Sequence, residues 1–390
     1  MLLVQNGEVF APEALGKCDI LLGGGKILAV ESTIDPGTLP GEVQVIDAAT
    51  RLVVPGFIDG HQHFTGGGGE GGFHTRTPEM QLSMNTTNGV TTAVGLLGTD
   101  SLTRTVESLY AKTQAFNAEG ITAFMLTGAY WLPSPTICGS IGRDLTYLAP
   151  VIGVKLAMAD QRGPRFTACD LARLAAEARV AALVADKPGT ITVHTGIGPD
   201  ALDLIFEVVE NHAIRADIFI PTHINRKADK LRGQVLELAR RGAIVDATCM
   251  VNIPRAEAPQ MTAADFACLA DDNGLFEQVS FSSDAGGSLP RWNEDHSRIL
   301  GMGIGSPQAL RLELQRLVSE KGMALAKALR PLTTTPARAY NLGNRKGKLT
   351  PGQDADVLTL DRDSLEILDV IAMGQLMVQG GEPVRKGYFE

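Results

Sequence analysis

The sequence predicts an α/β protein: a (β/α)8 TIM-type barrel with a small β-sandwich-like domain built from both chain termini. Three observations predict it. Between residues 53 and 345, eight short apolar runs alternate with amphipathic helical stretches. Segments 1–52 and 346–390 read instead as short strands separated by glycine turns. Reactive side chains recur where the predicted barrel strands end, the rim at which such barrels carry their chemistry.

In the first segment the candidate strands are 2–5, 8–10, 19–22, 26–31 and 43–47, with Asn6-Gly7 and Gly23-Gly24-Gly25 as hairpin punctuation. The pattern returns at 355–360, 367–373 and 376–378, so one small domain draws on both ends of the chain. In the middle, strands are expected at 52–58, 91–97, 123–128, 151–157, 190–193, 218–221, 243–247 and 279–282. Helical patterns at 101–117, 170–185, 200–211, 231–241 and 263–272 lie between them. Such alternation calls for parallel strands joined by crossover helices, and eight units fit a closed barrel better than an open sheet.

Net charge is −9 and the sequence pI about 5.4, with lysines and arginines scattered, so neither nucleic acid nor an anionic membrane surface is a predicted partner. No apolar stretch reaches the length of a bilayer span. Cys18, Cys138, Cys169, Cys249 and Cys268 are odd in number and contain no C-x-x-C, which predicts reduced thiols. The opening MLLVQNGEVF lacks a basic leader followed by a long apolar run, so a cytoplasmic protein is expected.

The chemistry is concentrated first in 56–79, GFIDGHQHFTGGGGEGGFHTRTPE. In an extended chain His61 and His63 project from one face, and two neutral imidazoles on one face can grip a metal ion. The glycines at 66–69 allow close backbone approach, and Glu70 follows with a carboxylate. They are not a phosphate loop, because no Gly-Lys-Ser/Thr follows. His194 and His223 end the fifth and sixth predicted strands, and Asp284 ends the eighth. Lys155 lies within an apolar strand, where burial penalises its charge; a neutral amine there can react with carbon dioxide to form a carbamate that bridges two metal ions. Each residue also has an ordinary reading: Asp284 as a turn aspartate, Tyr130 as a core-edge phenol, Arg162, Arg226 and Glu70 as solvated charges. At one barrel mouth the two arginines would instead hold a carboxylate. His74, His212 and His296 have no strand-end placement and are read as ordinary, and Cys138 and Cys249 lack a partner base.

The set His61-x-His63, Lys155, His194, His223 and Asp284 resembles the binuclear-metal amidohydrolase superfamily. The runs 54–59 (VPGFID) and 347–356 (GKLTPGQDAD) fit it as well. Within it GGGGEGG with TRTPE, GLLGTDS, LTGAYWLPSPT and SSDAGGS are similar to the isoaspartyl (β-aspartyl) dipeptidases, over nearly the whole chain. The resemblance implies two Zn2+ ions per subunit, one held by His61 and His63, the other by His194 and His223, bridged by carboxylated Lys155. Asp284 would be ligand and proton shuttle, Tyr130 would stabilise the oxyanion, and Glu70 would meet the substrate's α-ammonium. Gly68, Gly69, Thr99, Arg162, Arg226 and Ser288 would line the dipeptide pocket. The implied reaction is attack of a metal-bridging hydroxide on a β-aspartyl dipeptide, by a homo-oligomer. Two alternatives stay open: another amidohydrolase acting on a cyclic amide or N-acyl amino acid, and a non-catalytic barrel scaffold.

Overall fold

The computed structural model describes residues 1–226, 228–250, 261–293 and 298–390. The chain opens with β1 (Leu2–Phe10), β2 (Ala14–Gly23), β3 (Lys26–Glu31), β4 (Gln44–Asp47) and β5 (Leu52–Pro55). Eight more follow: β6 (Phe57–Gln62), β7 (Val90–Gly95), β8 (Thr122–Gly128), β9 (Val151–Met158), β10 (Thr190–Thr195), β11 (Phe219–Thr222), β12 (Val245–Thr248) and β13 (Val279–Ser282). A ribbon of β14 (Ser288–Trp292) and β15 (Ile299–Ile304) comes next. The chain ends with β16 (Val357–Leu360), β17 (Ile367–Ala372), β18 (Gln375–Gln379) and β19 (Glu382–Pro383).

β6 to β13 form one eight-stranded sheet in sequence order. Its pairings are parallel. The ends of the sheet meet where Gln62 bridges Ala285 and the His63 amide donates to the Ala285 carbonyl at 2.7 Å. Side chains along β9 and β10 are buried throughout, inward against the barrel interior and outward against helices. That is why these strands read as near-continuous apolar runs.

The helices start where hydroxyl caps allow. Thr167 and Asp170 make a capping box at the start of Ala168–Ala185, and Thr105 accepts from the Ser108 amide before Val106–Glu119. Helices Asp203–Asn211, Asp229–Arg240 and Ala263–Asp272 complete the set the sequence predicts. The first and last strands of the chain share a second, nine-stranded sheet, in which β16 runs antiparallel to β5 and pairs Val357 with Pro55. Leu2, Val4, Ile20, Leu22, Val357 and Ile371 belong to its own apolar core.

The run 52–58, expected as one strand, is two. β5 belongs to the terminal sheet and β6 to the barrel, with Gly56 between them. A Cβ on Gly56 would lie 2.1 Å from Thr91 Oγ1, so only glycine lets the chain pass there. A buried ion pair ties barrel to terminal sheet nearby: Lys346 Nζ donates to Thr122 Oγ1 at 2.7 Å and to Asp356 Oδ2 at 2.6 Å. Among the described residues, no helix is long and apolar enough to cross a membrane.

Candidate metal centre and active site

The carboxyl ends of the barrel strands bring His61, His63, Lys155, His194, His223 and Asp284 together, all buried. The local backbone explains part of this. His223 and Asp284 have φ of 61° and 51°, and Ala159, just before Asp160, has 52°. These left-handed residues cost energy for any side chain but glycine and are tolerated where a surrounding fold holds them. They break the strand alternation, so two consecutive side chains serve one site. Thr222 reaches His61 Nδ1 at 3.2 Å while the next residue's ring, His223, lies 5.2 Å from that of His61.

The tightest group is His61, His63 and Asp284. Asp284 Oδ1 lies 3.3 Å from His61 Nε2 and 3.0 Å from His63 Nε2. Lys155 Nζ is 3.2 Å from His61 Nε2. The rings of His194 and His223 continue the cluster, 4.6 Å apart. Burial holds the imidazoles of His61, His194 and His223 well below their usual pKa, so they are neutral and carry lone pairs. Burial likewise brings the Lys155 amine down to about 7. Neutral imidazoles, a carboxylate and a low-pKa lysine within a few ångströms make a donor set for a divalent metal, with three candidate ligand atoms within 4.8 Å of one another.

Around this group lies a polar rim. Tyr130 OH sits 2.8 Å from His194 Nδ1, and burial raises its pKa, so the phenol keeps its proton. Glu70 accepts from Ser288 Oγ at 3.1 Å and from Arg162 Nη1 at 3.2 Å. Arg162 also grips Asp160 through Nε and Nη2, at 2.9 and 2.8 Å. Arg226 is half-buried; burial lowers its pKa, and Tyr130, Asp160 and Asp284 act on it electrostatically. Gly68 is buried at φ 78°, where a Cβ would come within 2.6 Å of the Thr75 carbonyl. Gly69 and Thr99 are half-buried on the same rim loops. His74 and His212 are exposed, and His296 lies outside the described residues. Cys249 is buried and its thiol is pushed well above its usual pKa by burial, which fits the expectation that it is no nucleophile.

Several residues at the site escaped the sequence reading. Asp160 accepts from His194 Nε2 at 2.9 Å; burial opposes its charge, but hydrogen bonds from Arg162 and His194 hold it well below the usual carboxylate range. Asp59 accepts from Gln62 Nε2 at 2.8 Å and from Ser283, and burial raises it to about 6. Asp246 accepts from three hydroxyls below His61 and is raised by burial to about 7. Arg104 staples the glycine loop, donating to the carbonyls of Thr65, Gly67 and Thr77. The signal for Asp59 and Asp246 was a lone acid inside an apolar strand, the same signal that picked out Lys155.

A closed (β/α)8 barrel with histidines, a buried lysine and an aspartate at its carboxyl rim defines a metal-dependent hydrolase of the amidohydrolase type. The profile of the amidohydrolase family matches residues 187–380. The β-aspartyl dipeptidase of Fervidobacterium islandicum AW-1, solved with a β-Asp-Leu dipeptide, superposes with a TM-score of 0.92 at 38% identity, covering 98% of this chain and 97% of that one. With that agreement over both full lengths, the chain belongs to the β-aspartyl dipeptidase family of the amidohydrolase superfamily. Curated relatives are more distant or only locally similar. Adenine deaminase 1 of Latilactobacillus sakei is 23% identical over 97% of this chain and 58% of its own length. Dihydropyrimidinase 2 of Caenorhabditis briggsae is 44% identical over 62 residues, 16% of this chain and 11% of its own length. The chain thus spans less than two thirds of these curated relatives.

Proposed function

We propose that the protein hydrolyses β-aspartyl dipeptides with two zinc ions. His61 and His63 would hold one ion and His194 and His223 the other, with Lys155, carboxylated, between them and Asp284 on the first. Bound there, such ions supply Lewis acidity and a water that is a competent nucleophile near neutral pH. Asp284 Oδ1, already beside His61 and His63 Nε2, accepts the water proton and returns it to the leaving amine. Tyr130, kept as a protonated phenol by burial, donates its hydroxyl to the developing oxyanion.

The observation that carries the substrate assignment is the charge arrangement at the rim. Glu70 and Arg162 face each other at 3.2 Å beside the imidazoles, a ready complement to a zwitterion. The α-ammonium of the substrate would replace Arg162 as the partner of Glu70, with Ser288 still holding that carboxylate. Arg162 and Arg226 would turn to the substrate carboxylates, and Gly68, Gly69 and Thr99 would line the pocket. We also place the protein in the cytoplasm, in keeping with five free cysteines, and as a homo-oligomer, in keeping with exposed Tyr147, Val180, Leu183 and Val184 on adjoining helices.

The test is turnover of β-Asp-Leu against α-Asp-Leu by zinc-supplemented protein, with hydrolysis of the β-linked peptide alone expected. Two bound metals with no turnover of either peptide would move the substrate to cyclic amides or N-acyl amino acids.

A further inference from the structure

We propose that Asp246 and Thr222 act as a positioning pair that fixes the ring of His61, so that its Nε2 lone pair faces the metal centre. Asp246 is buried on β12, directly opposite Thr222 of β11 in the parallel register. Its carboxylate accepts from Ser280 Oγ at 2.8 Å, from Ser282 Oγ at 2.6 Å and from Thr222 Oγ1 at 2.7 Å. A threonine hydroxyl has one proton. Once that proton is given to Asp246, only lone pairs of Thr222 Oγ1 remain to face His61 Nδ1, 3.2 Å away. Nδ1 must then carry the ring proton, and Nε2 is left as the lone-pair nitrogen, 3.3 Å from Asp284 Oδ1.

The carboxylate is therefore more than a buried acid satisfied by its neighbours. Two of its three hydroxyl partners, Ser280 and Ser282, lie on the adjacent β13, and the third transmits its preference to a ring at the site. Thr222 is placed by the register of β11, of which it is the last residue, and the left-handed φ of 61° at His223 lets the following ring serve the same centre. His63 is an internal contrast: among the described residues its buried Nδ1 has no hydrogen-bond partner. Partners that fix a ligating imidazole are typically worth about ten- to a hundredfold in metal affinity.

This inference rests on the reading that His61 donates Nε2 to a metal. That reading has its own check: zinc content of a His61→Ala protein, where two tightly held equivalents would sink the reading itself. The pair is tested separately in the full-length, zinc-loaded protein with 15N-labelled histidine. Long-range 1H–15N correlation is expected to place the His61 proton on Nδ1, and no protonated Nδ1 for His61 would overturn the proposal without any mutation. Thr222→Val is then expected to lose about ten- to a hundredfold in zinc affinity by chelator competition, and Thr222→Ser to restore most of it. Asp246→Asn is expected to weaken zinc as well, since its amide can donate to Thr222 and free the hydroxyl proton to face Nδ1. Folded Thr222→Val with wild-type zinc affinity would overturn the pair.

Discussion

Replacing Glu70 by glutamine keeps the size of the side chain and removes its charge, which isolates its proposed role toward the α-ammonium. The surroundings should survive the change. Arg162 remains held by two hydrogen bonds to Asp160, at 2.9 and 2.8 Å, and Ser288 can still donate to the glutamine oxygen. The Glu70 side chain is only 8% exposed, so a substrate ammonium would meet it largely out of water. A hydrogen bond to a charged partner is worth about 1.5–3 kcal/mol, or roughly ten- to 150-fold in kcat/KM. The assay compares β-Asp-Leu with succinyl-leucine, the same amide without the α-amino group. Glu70→Gln should lose that factor on β-Asp-Leu and almost none on succinyl-leucine, so the preference between the two should collapse. An equal loss on both substrates would refute the assignment, because Glu70 would then be shaping the site rather than reading the amine.

Asp284→Asn should lower kcat by about 10²- to 10⁴-fold, the usual contribution of a positioned proton carrier, while circular dichroism stays unchanged; full turnover would rule the shuttle out. Tyr130→Phe should lower kcat by about 10²- to 10³-fold with little change in KM, read from steady-state kinetics. Lys155 titrates at about 7 in the fold against 10.5 for a free lysine, so its neutral amine accumulates as pH rises through 7. Bicarbonate-dependent reactivation of metal-free protein by zinc should therefore rise with pH across that point, and a flat profile would count against carboxylation. The sign for stability is the same: between about pH 7 and 10.5 the unfolded chain holds the lysine proton longer, so the metal-free fold should gain thermal stability as pH rises.

Much of the barrel was legible because parallel strands buried on both faces leave apolar runs that no helix interrupts. The division of 52–58 was missed because both halves are equally apolar; β5 pairs with β1 and β16 while β6 pairs with β7, and the one mark of the break in the sequence is the turn-prone Pro55-Gly56. The histidines could be found because each closes an apolar run, and Lys155 because a charge inside such a run is anomalous. Arg104 carried no such mark: it sits in a polar loop, and its partners, the glycine-loop carbonyls, are distant in sequence. Asp160 does close the apolar run 151–159, but its partner His194 is distant in sequence. The left-handed turns at His223 and Asp284 leave no trace in composition, yet they help bring the His223 ring and the Asp284 carboxylate to the site.

The central claim is that a metal centre built on these residues hydrolyses a β-aspartyl bond. Its most direct test is a zinc titration of metal-free protein in bicarbonate, reading β-Asp-Leu turnover at each step. Activity should be absent at the start and reach its plateau at two equivalents of zinc per chain. Full turnover by protein whose metal content is verified as nil would contradict the account.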